Sequence, residues 1–139
     1  MSEPFEILDH TADTGFRAWG STLAELFENS ARAMMAVATD ASLVEAHSEK
    51  HVEVEGEDYE SLLVNWLSEI LYLFDTDAFA PQSFRVDEIS PSRLKARLLG
   101  EPREPKRHPW LLIIKAVTYY ELKVEERDGR WESQVFLDI

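Results

Sequence analysis

The sequence predicts an α+β fold: a two-layer sandwich of mostly antiparallel sheet with two main helices on one face, in a single domain over residues 1–139. Three observations carry this reading. Two segments with helical hydrophobic spacing alternate with strand-like ones in the first half of the chain. The second half is patterned almost wholly as strands, with Asp128-Gly129 set between two of them as a hairpin signal. At 139 residues and 45% hydrophobic content, the chain has the length of one domain and can bury a core without cross-links.

Phe5–Leu8 reads as a short strand that leads into the polar segment His10-Thr11-Ala12-Asp13. Asp13 is expected in a turn just before Gly15, and Gly15 and Gly20 bracket a second strand, Phe16–Trp19. Thr22 and Glu25 form a Thr-x-x-Glu capping box. Leu23, Leu26, Phe27, Ala31, Met34 and Ala38 then recur at helical spacing, predicting a helix from about Thr22 to Thr39. Lys50–Glu57 alternates, with Val52 and Val54 on one side and His51, Glu53 and Glu55 on the other, as in a half-exposed strand. Asp58 is placed to cap a second helix running to about Asp75. Its stripe of Leu62, Leu63, Trp66, Leu67, Ile70, Leu71 and Phe74 is wide enough to lie flat on a sheet.

Phe84–Val86 and Leu94–Leu98 read as two more alternating strands, turned at Ile89-Ser90-Pro91-Ser92. Three prolines within Gly100–Pro109 argue against a ladder strand or a helix interior there. This is the one clearly basic stretch, and it is expected to be either a polar connector or a mobile, partner-facing loop. Trp110–Glu126 returns to strand. A two-residue Asp128-Gly129 turn would set Arg127 opposite Arg130, Leu122 opposite Val135, Tyr120 opposite Leu137 and Tyr119 opposite Asp138.

Composition narrows the function. There are 27 acids against 14 Lys plus Arg, a net charge of −13. A phosphate-binding surface needs the opposite sign, so strong direct nucleic-acid binding is not expected. Hard cations or a basic protein partner fit better. Cysteine is absent, which removes disulfides, thiolate nucleophiles and zinc–thiolate sites. No signal peptide is visible, and no apolar run approaches the ~20 residues of a membrane helix. The expectation is a soluble cytoplasmic protein.

The chain closes on Val135-Phe136-Leu137-Asp138-Ile139, an apolar run carrying one acid and a terminal carboxylate. A chain end docked as a strand holds such groups in place. With Asp13, the carboxylates of Asp138 and Ile139 would make a hard oxygen site suited to Ca²⁺ or Mg²⁺, with Mn²⁺ also admissible. His10, His47, His51 and His108 are scattered. His10 is placed to orient the Asp13 loop, and His108 to approach a partner or a site. No HExxH pair, Gly-rich phosphate loop or nucleophile elbow is present, and no catalytic residue is assigned.

Asp9-His10-Thr11-Ala12-Asp13 with Gly15 and Ala18 resembles the opening motif of the archease family. Gly100-Glu101-Pro102, Arg107-His108 and Lys115-Ala116-Val117-Thr118-Tyr119 are similar to its later motifs. Gly129-Arg130-Trp131 and the Leu137-Asp138-Ile139 ending complete the likeness, which spans the whole chain in order. The resemblance implies a strand–helix–strand–strand module with an insertion. It further implies a cytoplasmic protein that assists an RtcB-type RNA ligase, which joins 2′,3′-cyclic or 3′-phosphate ends to a 5′-hydroxyl. The family's role is to promote guanylylation of the ligase and multiple turnover in tRNA splicing or RNA repair. Its metal-binding acids fall on Asp13, Asp138 and Ile139. Two positions depart from the family pattern: Tyr120 stands where His is common, and Glu104 where Asp is common before the proline.

These residues support three readings of function. The first is a non-enzymatic activator of the ligase. The second is a metal-dependent phosphoesterase using the same acids. The third is a general chaperone-like binding module.

Overall fold

A computed structural model describes residues 4–9 and 13–139, with Asp9 and Asp13 as backbone only. Strands β1 (Phe5–Asp9) and β2 (Asp13–Gly20) precede helix α1 (Leu23–Ala38) and a 3-10 turn at Ala41–Leu43. Strand β3 (Ser48–Glu55), helix α2 (Tyr59–Asp75), β4 (Phe79–Ser90) and β5 (Arg93–Pro102) follow. The chain ends on β6 (Ala116–Val117), β7 (Lys123–Arg127) and β8 (Arg130–Asp138). The predicted α+β class holds, with every strand pairing antiparallel.

The strands divide into two sheets. One has five strands in the order β1-β2-β8-β6, with β7 also on β8; the other has three, in the order β3-β5-β4. The two helices share one core with both sheets. Trp66, Phe27, Phe74, Leu67, Ile70 and Met34 are fully buried within it. The Trp66 indole N–H donates to the Phe27 carbonyl at 2.9 Å and so joins α2 to α1. Ser30 and Ser133 share a buried hydroxyl bond of 2.9 Å that joins α1 to β8.

The helix starts are capped much as their sequences predict. The Thr22 hydroxyl accepts the Glu25 N–H at 3.1 Å, but the Glu25 carboxylate takes the Ser21 N–H rather than that of Thr22. Asp58 accepts the Ser61 N–H at 2.8 Å, and the Ser61 hydroxyl returns the bond, which makes a full capping box. Strand β4 extends further back than its alternation suggests, through Pro81. It lies at the sheet edge, where a missing N–H costs no ladder bond, and its register shifts between Pro81 and Ser83.

Two expectations fail in the second half. The ladder of β5 continues to Pro102, two residues into the proline-rich stretch, because Pro102 is its last residue and needs to donate nothing. More substantially, Trp110–Glu126 is not one strand. Only Ala116–Val117 and Lys123–Arg127 pair, and a turn at 119–122 lies between them, with Glu121 at φ 47°. The turn is held by the Gln134 side-chain amide, which donates to the Glu121 carbonyl at 2.9 Å. The hairpin itself forms as read: Arg127 faces Arg130, with Asp128 at φ 54° and Gly129 at φ 75°. Beyond Lys123 the intervening turn shifts the register. Val117, not Tyr120, pairs with Leu137, and Ala116, not Tyr119, pairs with Asp138.

Candidate carboxylate site and the loop beside it

Asp13 is the first residue of β2, not a turn residue as its sequence setting suggests. The β2–β8 register makes it the direct partner of Asp138, and on the other side of β8 Asp138 is opposite Ala116. Directly opposed residues of an antiparallel pair have Cα atoms about 4.5–5.5 Å apart. The Lys115 N–H closes the row by donating to the Asp138 carbonyl at 2.7 Å. Alternation then does what the terminal sequence implies: Leu137 is fully buried and Asp138 is exposed. Ile139 is half-buried and packs against the core, so the chain end is tied down. Among the described residues, no side chain bonds the Asp138 carboxylate. The His10 expectation lies outside the described residues.

Two close approaches fix this corner. A Cβ at Gly15 would stand 2.6 Å from both the Val135 carbonyl oxygen and the Phe136 ring, so β2 can lie this tightly on β8 only with glycine there. The Tyr120 ring lies 5.6 Å from that of Phe136, at 60°, and is itself largely exposed.

The proline-rich stretch is held from within, while Pro102, Glu104, Pro105, Lys106, Arg107 and Pro109 are exposed. His108 is buried, and its Nδ1 accepts the Glu104 N–H at 2.9 Å. The ring proton therefore sits on Nε2, which donates to Glu101 at 3.0 Å. Glu101, buried as well, also accepts the Glu45 N–H at 2.9 Å and pairs with Arg107 at 3.3 Å. The Glu45 amide, with His108 and Arg107, holds its carboxyl below the ordinary carboxylate range against the opposing pull of burial. Arg103 stacks 4.0 Å above the Phe74 ring, and Thr39 donates to the Pro109 carbonyl at 2.8 Å. His108 thus locks the loop from inside.

Glu45, His47 and Glu101 bring potential ligand atoms within 4.8 Å of one another. The Arg107 guanidinium already sits among them, 3.6 Å from Glu45 and 3.3 Å from Glu101, where a metal would have to go. His51 pairs at the surface with Glu49. His47 and His51 thus each lie beside a surface carboxylate. Sequence reading named Glu101 only as part of a motif. It also missed the exposure of Leu111, Leu112 and Ile113. The available signal was Trp110–Ile114, five apolar residues in a row that break the alternation of a half-buried strand.

Solved structures share this architecture. A solution structure from Methanobacterium thermoautotrophicum superposes with a TM-score of 0.82 at 38% identity, over 99% of this chain and 100% of that one. The structure of an archease, described as a possible chaperone, from Thermotoga maritima has the same fold, with a TM-score of 0.68 at 22% identity. The archease protein family pattern matches residues 5–139. The archease of Methanosarcina mazei is 45% identical over 143 residues, covering 100% of this chain and 98% of its own. That of Pyrococcus abyssi is 40% identical, over 97% and 98%. The chain belongs to the archease family.

Proposed function

We propose that this protein activates an RtcB-type RNA ligase in the cytoplasm, promoting ligase guanylylation and multiple turnover in tRNA splicing or RNA repair. In this reading Asp13, Asp138 and the carboxylate of Ile139 hold a divalent cation, Ca²⁺ foremost, with Mg²⁺ or Mn²⁺ as alternatives. The carrying observation is the β2–β8 register, which pairs the two aspartates suggested by the family motifs. The donor set fits the group: hard oxygens, an exposed Asp138 bonded by no described side chain, and an anchored chain end. The cation would supply positive charge at the ligase active site. The chain's part is to fix the acids in a row on a rigid sheet.

Multiple-turnover ligation by the RtcB-type ligase from the same source, with wild type and with Asp138→Ala, tests this. Stimulation by wild type and none by the variant is expected. Equal stimulation by the folded variant would remove the metal-site mechanism, and none by either would remove the activator role.

A further inference from the structure

Eight large apolar side chains are exposed among the described residues, and five of them fall in one ten-residue stretch: Leu111, Leu112, Ile113, Tyr119 and Tyr120. A concentration of exposed apolar side chains in one segment is the kind of surface that marks interaction sites. The stretch is not loose. The Leu111 N–H donates to the Ala38 carbonyl at 2.7 Å, at the end of α1. Ile114 is buried, and the Lys115 N–H donates to Asp138. The Thr118 N–H and hydroxyl both donate to the Phe136 carbonyl, at 3.1 and 2.9 Å. A segment with its backbone tied at both ends of the β6–β8 pairing, but with its large side chains turned out to water, is preorganised for contact. Next to it, a cleft of about 270 Å³ lies between α2 and β6, lined by Tyr72, Asp75, Ile114, Lys115 and Val117. Tyr72, itself 54% exposed, lines that cleft from α2.

We propose that Leu111, Leu112, Ile113, Tyr119 and Tyr120 form an apolar collar beside Asp138 by which this protein docks onto the ligase. The inference rests on the activator reading and assigns the surface that reading lacks. The partner's matching surface is apolar where it meets the collar and basic around it, complementing the net charge of −13 while the proposed cation stays on the acids. Charge selects this occupant. A second copy of a −13 chain would bring its own Asp138 towards the first, and an anionic membrane would meet the same repulsion. Lys115 is the one cation in the stretch from Leu111 to Tyr120.

The test is the affinity of the purified ligase for wild type and for L111S/I113S, by titration calorimetry, with the circular dichroism spectrum and melting curve of each. Leu43→Ser, an exposed leucine on the 3-10 turn, is the control. The double variant is expected to keep its spectrum and lose about tenfold or more in affinity, as for an interface hot spot, while Leu43→Ser binds as wild type. Should the double variant lose its melting transition, Ile113→Ser alone carries the same expectation. Wild-type affinity in a folded variant would overturn the collar and leave the activator role standing. No binding of wild type to the ligase would overturn both. A concentration-dependent wild-type dimer, made monomeric by L111S/I113S without change in ligase affinity, would give the surface to self-association instead.

Discussion

Asp13 and Asp138, from opposite ends of the chain, are direct cross-strand partners on β2 and β8. Two like charges side by side on a sheet are unfavourable by some tenths of a kcal/mol. In the proposed function a shared cation offsets this cost. Adding Ca²⁺ is therefore expected to raise the melting temperature of wild type. At a hundredfold excess over Kd the gain is about 2.7 kcal/mol. Asp138→Asn, which removes one charge with little change of shape, is expected to melt higher than wild type without Ca²⁺ and to respond weakly to it. Differential scanning calorimetry with and without the ion decides this. A full Ca²⁺ response in the variant would place the ion elsewhere.

His108→Ala takes away the ring that satisfies both Glu104 and Glu101 inside the proline-rich loop. Leaving buried partners unsatisfied costs about 1–3 kcal/mol. We expect a loss of that order in chemical denaturation. Amide exchange is expected to speed up first around 101–109, and unchanged exchange there would show that the loop does not depend on the histidine.

The Glu101 carboxyl is held below its ordinary value, so it loses a proton more readily in the folded chain than in the unfolded one. Its stabilising contribution is full above the ordinary value of 4.5 and disappears as pH falls through the lower folded value. Asp87, against Arg97, and Asp40, against Ser42, are shifted the same way from an ordinary value of 3.8, so their contributions begin to disappear at lower pH than that of Glu101 does. Stability is expected to fall with acid below about pH 4.5. The fall should be shallower in Glu101→Gln, whose melting temperature near neutrality is already lower. Melting curves across the acid range read both effects, and parallel curves for the two proteins would rule out Glu101 as a contributor.

Gly15→Ala puts a methyl 2.6 Å from the Val135 carbonyl oxygen, a backbone atom of the central strand that cannot swing aside. Overpacking of this kind costs about 1–3 kcal/mol. The variant is expected to melt lower and to bind Ca²⁺ more weakly, since the displaced pair is two residues from Asp13. Gly129→Ala, with nothing within 4 Å of the added methyl but a φ of 75°, is expected to lose stability without affecting Ca²⁺ binding.

Much of this architecture could be read from the chain because local chemistry and tertiary structure agree. The α2 stripe from Leu62 to Phe74 is buried as its spacing demands, and Asp58 caps it. Asp128-Gly129 turns where its left-handed preference places it. Asp138 and Leu137 fall on opposite sides because a strand alternates. The misreadings have a common cause. Trp110–Glu126 has the composition of a strand, but its backbone is held by distant groups, Ala38, Asp138 and Gln134, that no local pattern encodes. His108 looks like a surface histidine beside prolines, and only the return of the loop to Glu101 buries it. The pairing of Asp13 with Asp138 depends on which strand β2 chooses, and that is settled by the whole sheet rather than by either end.

Strand β8 lies in the middle of its sheet, although it follows the other described strands in sequence. Its neighbour β2 is among the first, and until β8 arrives β2 can pair only with β1, a two-stranded ribbon too small to be stable alone in water. Closing that gap joins parts of the chain separated by both helices and the entire second sheet, which makes the five-stranded sheet a late, non-local event in folding. The acids at 13 and 138 meet only at that moment. The cation site proposed above is therefore assembled only when β8 closes the sheet.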